Sequence, residues 1–194
     1  MSLYIEDESS IALPIEAESI ANLVVEAALD YIQCPFEAEV NLLLTDDEAI
    51  HEMNQEFRQV DRSTDVLSFP MLEYANPGDF SEIEEQEDAF NPETGELMLG
   101  DIVISKEHVL AQAEAYAHSP KREFAFLIAH SMLHLFGFDH MEEEERMIME
   151  AKQREIMEKV QICGPGGAGG DRPDGAARRD ERTGPAEGQR WLLS

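Results

Sequence analysis

The sequence predicts an α+β fold. We expect one domain over residues 1–162, in which a small mixed β-sheet packs with helices, and a disordered tail over residues 163–194. Helical apolar periodicity alternates with a few short strand-like runs along most of the chain. A length of 194 residues suits one domain with a real core. From Gly164 onward, glycine, proline, alanine, arginine and aspartate dominate, and such a composition cannot bury enough apolar surface to fold.

Each element in the domain is bounded by its own local signal. Thr45, followed by Glu48, predicts a capping box at the start of the second helix, and Pro70 closes the third strand. Ser105 is the expected N-cap of the third helix, which Ser119-Pro120 separates from the fourth. The predicted elements are strands over 3–7, 37–44, 65–69 and 97–105, and helices over 14–32, 46–57, 106–118, 120–136 and 142–160.

An acidic segment at residues 72–96 separates the third and fourth strands. It is rich in turn signals, including Asn76-Pro77-Gly78 and Asn91-Pro92. Such a segment predicts a mobile excursion or a long hairpin loop.

The main functional signal is the pattern His-x-x-x-His-x-x-Gly-x-x-His at residues 130–140. His130 and His134 are four apart, so they project from one face of a helix. Gly137 would end that helix in a left-handed turn and bring His140 back to the same point. The pattern therefore predicts a zinc-binding helix-turn that holds one Zn²⁺ ion per chain. Three histidine ligands leave the fourth coordination position of the ion for water, as in catalytic sites. Three imidazoles would also accept nickel or copper.

Composition limits the class of protein. The formal net charge is −28, and the segment from Gly164 contains five arginines and five acids, so the predicted domain carries the negative charge. Such a surface repels polyanions at long range, which argues against broad affinity for nucleic acid. Cys34 and Cys163 indicate no disulfide framework. No secretory signal or membrane-spanning run is recognisable, so we expect a cytoplasmic protein without membrane contact.

A zinc metalloprotease with metzincin-like spacing is one interpretation of the histidines. Those proteases carry His-Glu-x-x-His-x-x-Gly-x-x-His, and their glutamate is the general base. Ser131 occupies the glutamate position here. Because a serine hydroxyl cannot accept a proton from water at neutral pH as a carboxylate does, the substitution argues against peptide hydrolysis.

The same eleven residues resemble the YbeY family of bacterial rRNA-processing endoribonucleases, whose pattern is His-Gly-x-Leu-His-Leu-x-Gly-Tyr-Asp-His. Ser131 replaces the glycine and Phe138 the tyrosine. Further family motifs are matched in order and spacing by Met-Asn-Gln-Glu-Phe-Arg at 53–58, Thr-Asp-Val-Leu-Ser-Phe-Pro at 64–70 and Leu-Gly-Asp-Ile-Val-Ile-Ser at 99–105. The resemblance covers about residues 3–160. It does not include the tail, and the acidic segment is longer than the motifs require.

The resemblance implies that His130, His134 and His140 bind zinc and that Arg58 is the essential basic residue of the active-site cleft. The implied function is a single-strand-specific, zinc-dependent endoribonuclease that matures the 3′ end of 16S rRNA and acts in late ribosome quality control. The implied partners are single-stranded RNA, ribosomal RNA and the ribosome, with ribosomal or assembly-factor proteins as candidates for delivering the enzyme to its substrate.

Two further side chains are candidates for catalysis. Arg58 offers a permanently charged planar fork of donors that suits a phosphate. Asp139 precedes the third histidine and could orient a ligand imidazole or act as a base, although a role in the turn is equally compatible with its position. A non-catalytic ribosome assembly factor with structural zinc remains an alternative, which a fourth protein ligand would favour.

Overall fold

The computed structural model describes residues 1–86 and 88–162, so the tail predicted over 163–194 lies outside the described residues. The described residues confirm the α+β prediction. Their elements are β1 (Ser2–Asp7), α1 (Ala17–Ile32), β2 (Ala38–Thr45), α2 (Asp47–Arg58), β3 (Val66–Pro70), β4 (Leu97–Ser105), α3 (Lys106–Ala115), α4 (Pro120–Leu135) and α5 (Glu143–Lys159), with a short 3₁₀ helix at Ile83–Glu85.

The four strands form one mixed sheet in the order β1-β2-β4-β3. Strands β1, β2 and β4 run parallel, and edge strand β3 runs antiparallel to β4 with Ser68 opposite Ile102. Parallel neighbours require crossover connections, which α1 supplies between β1 and β2. The connection from β3 to β4 is also long, but it joins antiparallel strands and needs no crossover.

The sheet separates two unequal apolar layers. Leu42 and Ile104 point into the main core, where they pack with helices α1, α4 and α5. Alternate residues point to the other face, where Leu67 and Val103 pack with Ile50 of α2. Because side chains alternate along a strand, α2 and α4 lie on opposite faces of the sheet.

The start of α2 differs from the prediction. Thr45 is the last residue of β2, where it pairs with Ser105 of β4. The N-cap is Asp46, whose side chain accepts a hydrogen bond from the backbone N–H of Ala49 at 2.9 Å. The prediction that Thr45 caps this helix was wrong, because strand pairing extends one residue further than the capping pattern suggested.

The acidic segment is packed against the domain. It forms the long hairpin connection that was one of the two expectations, but the expectation of a mobile excursion was wrong. Four of its apolar side chains are buried in the main core, namely Leu72, Phe80, Ile83 and Ala89. These anchors hold the segment against the sheet and α4, while most of its acidic side chains remain exposed.

Among residues 1–86 and 88–162, no helix has both the length and the apolarity needed to cross a bilayer.

Candidate metal centre

The structure brings the three predicted metal ligands together. His130 and His134 lie in the last two turns of α4, and His140 follows the turn after that helix. One ligand atom from each histidine lies within 4.8 Å of the ligand atoms of the other two. The centroids of their rings are separated by 4.7, 5.0 and 5.5 Å. This group could hold a metal ion.

The distance between the helical ligands fits a shared ion. The Nε2 atoms of His130 and His134 are 3.1 Å apart. Two nitrogens bound tetrahedrally to one zinc ion at ~2.0–2.1 Å lie roughly 3.3–3.4 Å from each other. A few tenths of an ångström therefore separate this arrangement from the bound geometry.

The backbone fixes the tautomer of His134. Its Nδ1 lies 3.0 Å from the carbonyl oxygen of Phe138. Because a carbonyl oxygen only accepts, Nδ1 carries a proton, so in the neutral ring Nε2 keeps the lone pair that a metal needs. A hydrogen bond of this kind from the remote ring nitrogen is the usual support of a histidine ligand.

The turn after α4 is a Schellman motif. The N–H of Gly137 donates to His134 O and the N–H of Phe138 donates to Leu133 O, both at 3.0 Å. Gly137 has φ +86°, a left-handed conformation that glycine adopts at low cost. This motif places the Phe138 carbonyl beneath His134 and turns the chain so that His140 meets the two helical histidines, as the sequence predicted.

Ser131 points into the protein interior. Its relative exposure is 0%, compared with 9% for the neighbouring His130. Its Oγ has no hydrogen-bond partner among the described residues. The residue beside the first histidine is therefore a buried hydroxyl and not a carboxylate, and the argument against a metzincin-like base rests on this difference in side chain.

Asp139 lies beside His140, the third candidate ligand, and supports the turn. Its Oδ1 accepts a hydrogen bond from the backbone N–H of His140 at 2.8 Å. The carboxylate therefore restrains the backbone from which the His140 side chain projects. This contact matches the turn role that the sequence left open, and a catalytic role remains a prediction.

Arg58 belongs to a different layer of the fold. It is the exposed last residue of α2, on the sheet face opposite α4. The preceding Phe57 packs edge-on against Phe69 of edge strand β3, with ring centroids 5.4 Å apart. Strand β3 also contacts α4. The end of α2 is thus fixed at the sheet edge that borders the metal helix.

Sequence reasoning missed two residues that touch the metal turn. The hydroxyl of Tyr74 donates to Leu135 O at 2.9 Å, and the N–H of Gly78 donates to Phe136 O at 2.8 Å. Asn76-Pro77-Gly78 signals a tight turn, but nothing in that signal shows where the turn docks.

Comparisons with known proteins agree with the geometry. A family model described as Endoribonuclease YbeY matches residues 4–161. A protein from Agathobacter rectalis named Endoribonuclease YbeY is 58% identical over 163 residues, which cover 84% of this chain and 99% of that protein. A relative of the same name from Lachnoclostridium phytofermentans is 53% identical, with the same two coverages. The solution structure of a Thermotoga maritima protein has the same fold, with a TM-score of 0.50 and 24% identity over 81% of this chain and 88% of that one.

Proposed function

Because this chain belongs to the Endoribonuclease YbeY family, we propose that it is a metal-dependent endoribonuclease, a hydrolase that cleaves phosphodiester bonds within RNA. The observation that carries the proposal is the group of three histidine ligand atoms within 4.8 Å of one another. The expected substrate is single-stranded ribosomal RNA, in maturation of the 3′ end of 16S rRNA and in late ribosome quality control. Such a substrate implies action in the cytoplasm.

Zinc is the metal that we expect at this site. His130, His134 and His140 would hold it through imidazole nitrogens, a donor set typical of catalytic zinc. When bound, the ion supplies Lewis-acid chemistry, since it polarises a phosphoryl oxygen and makes water more acidic. In the part of the chain that the structure describes, no cysteine, aspartate or glutamate joins this group as a fourth ligand. That arrangement favours a catalytic site over the structural zinc of a non-enzymatic assembly factor.

Arg58 and Asp139 would supply the remaining functions. Arg58 would hold the scissile phosphate through its two parallel donors and offset negative charge that develops on the phosphoryl oxygens. Asp139 would keep the backbone of His140 in place through its hydrogen bond to that residue, and could also take up a proton beside the centre. A protein with a net charge of −28 repels RNA at long range. Binding therefore requires either basic residues at the active site or delivery of the enzyme to its RNA by ribosomal or assembly-factor proteins.

A comparison of substrates tests this function. Metal-replete protein is incubated with single-stranded RNA, duplex RNA and an unstructured polypeptide, each with and without chelator. We expect internal cleavage of the single strand, little cleavage of the duplex and no proteolysis. Chelator-sensitive proteolysis without cleavage of RNA would reject the proposal and favour a protease.

A further inference from the structure

The carbonyl groups at the end of α4 all have partners, and two of these partners come from far away in the sequence. The last carbonyls of a helix cannot bond within the helix and need other donors. The Schellman turn supplies backbone donors to Leu133 O and His134 O. Tyr74 and Gly78, both in the acidic segment, supply the donors to Leu135 O and Phe136 O.

We propose that Tyr74 is a positioning residue of the metal centre, whose hydroxyl holds the turn that carries His134 and His140 in the geometry that binds the ion. The inference rests on the proposed function, since it concerns the same metal site. Leu135, whose carbonyl oxygen accepts the hydrogen bond from the Tyr74 hydroxyl, directly follows the ligand His134. A shift of this carbonyl group would therefore also shift His134 and the turn that follows it.

The ring of Tyr74 also presses on the turn. A Cβ added at Gly137 would lie 2.8 Å from Cδ2 of Tyr74, so only a glycine allows the ring to approach this closely. One side chain thus contacts the turn twice, through its ring at Gly137 and through its hydroxyl at Leu135 O.

Tyr74 is itself held rigidly. Its ring packs edge-on against Phe80 at 5.6 Å between centroids, and Phe80 packs in the same way against Phe136 at 6.2 Å. The same segment is held a second time at Gly78, four residues after Tyr74. Gly78 has φ +77° and lies so close to Ile32 that an added Cβ would be 2.7 Å from Cδ1 of Ile32. A tyrosine hydroxyl is protonated at neutral pH, and burial raises the pKa of Tyr74 further, so its hydroxyl remains a donor into the alkaline range.

The test removes this hydroxyl alone. Tyr74→Phe keeps the ring against Gly137 and deletes the donor to Leu135 O. The matched control is Tyr31→Phe, which deletes a hydroxyl that donates to Glu155 on α5 at 2.6 Å and keeps the ring beneath the Lys152 ammonium. Each protein is measured for zinc affinity by chelator competition, for the visible absorption spectrum of its cobalt-substituted form, and for its melting temperature.

We expect Tyr74→Phe to weaken zinc binding about 10-fold, at the lower end of the effect of losing an outer support of a metal ligand. Its cobalt spectrum should also change, because the ligand geometry changes. Tyr31→Phe should match wild type in both respects. A purely structural hydroxyl would lower the melting temperature but leave affinity and spectrum unchanged well below the melt.

Two outcomes overturn the inference, and they are distinguishable. If wild type binds zinc tightly and Tyr74→Phe binds it equally well with the same cobalt spectrum, Tyr74 has no positioning role and the proposed function stands. If wild type itself binds no divalent metal, the proposed function fails and this inference fails with it.

Discussion

The Phe138 carbonyl oxygen lies 3.0 Å from Nδ1 of His134, so a residue beyond the helix orients a candidate metal ligand within it. The Nε2 on the opposite side of that imidazole ring lies 3.1 Å from Nε2 of His130. We therefore expect the geometry of the turn and the geometry of the candidate metal centre to be coupled. A change that shifts the turn at Gly137 should reach the metal through His134.

Gly137→Ala tests this coupling. The left-handed conformation costs a non-glycine residue about 1–2 kcal/mol, and the new Cβ would also lie 2.8 Å from Tyr74 Cδ2. We expect lower stability in denaturant unfolding and weaker zinc binding in chelator competition. Gly95→Ala is the matched control, because Gly95 has φ +75° but none of the described residues lies within 4 Å of an added Cβ. Gly95→Ala should lower the free energy of unfolding through the same backbone strain as Gly137→Ala, but it should keep full zinc affinity. Equal zinc affinity in the two variants would disprove the coupling.

Ser131→Ala should stabilise the protein. A buried hydroxyl without a partner costs about 1–3 kcal/mol, and Ser131 Oγ is such a group among the described residues. We expect the free energy of unfolding to rise by about 1 kcal/mol at unchanged zinc content. Ser131→Glu should be strongly destabilising and should not create a peptidase, because the carboxylate would be buried. A less stable Ser131→Ala protein would show that the hydroxyl makes a bond important for folding.

Much of the metal centre was predictable because its causes are local. The spacing of His130 and His134 fixes a helix face, and Gly137 fixes the turn that returns His140. The positions of Tyr74 and Gly78 were not predictable in this way, since their contacts with α4 depend on how a distant segment docks. Tertiary pairing also decided the helix cap, because Thr45 was drawn into the sheet beside Ser105.

The position of Arg58 relative to the sheet could not be predicted from the sequence. The family motif marks Arg58 as a candidate, and apolar periodicity predicts the helix that carries it. Neither shows which sheet face receives α2, because that depends on how the alternating residues of β3 and β4 are shared between two cores. Ile50, Leu67 and Val103 settle this only in the folded protein.

The predicted tail should be dispensable for folding and metal binding. Its composition resists packing, and the folded domain is predicted to end at residue 162. A chain ending at Cys163 should melt at nearly the same temperature as the full chain and bind the same amount of zinc. Differential scanning calorimetry and elemental analysis are the measurements. A melting temperature lower by many degrees would show that part of the tail, such as Trp191-Leu192-Leu193, packs against the domain, and the predicted end of the domain at residue 162 would be wrong.

Arg58 should matter for turnover and not for the metal. We expect Arg58→Ala to keep full zinc content while RNA cleavage falls about 10²–10³-fold, the effect of losing one preorganised donor to a developing charge. Arg58→Lys should recover part of this loss, since lysine restores the charge without the planar fork. Arg154→Ala, which removes an exposed arginine from α5, controls for the change in net charge. Wild-type cleavage by Arg58→Ala at matched zinc content would remove this residue from the site.

The most direct test of a metal-dependent endoribonuclease is removal and return of the metal. Wild-type protein is stripped with chelator, desalted and assayed on single-stranded RNA before and after one equivalent of zinc is added, beside His134→Ala and His51→Ala proteins. We predict that stripping abolishes cleavage, that one equivalent restores it in wild type and His51→Ala, and that His134→Ala binds little zinc and stays inactive. Full cleavage by the stripped protein, or by His134→Ala, would contradict the account.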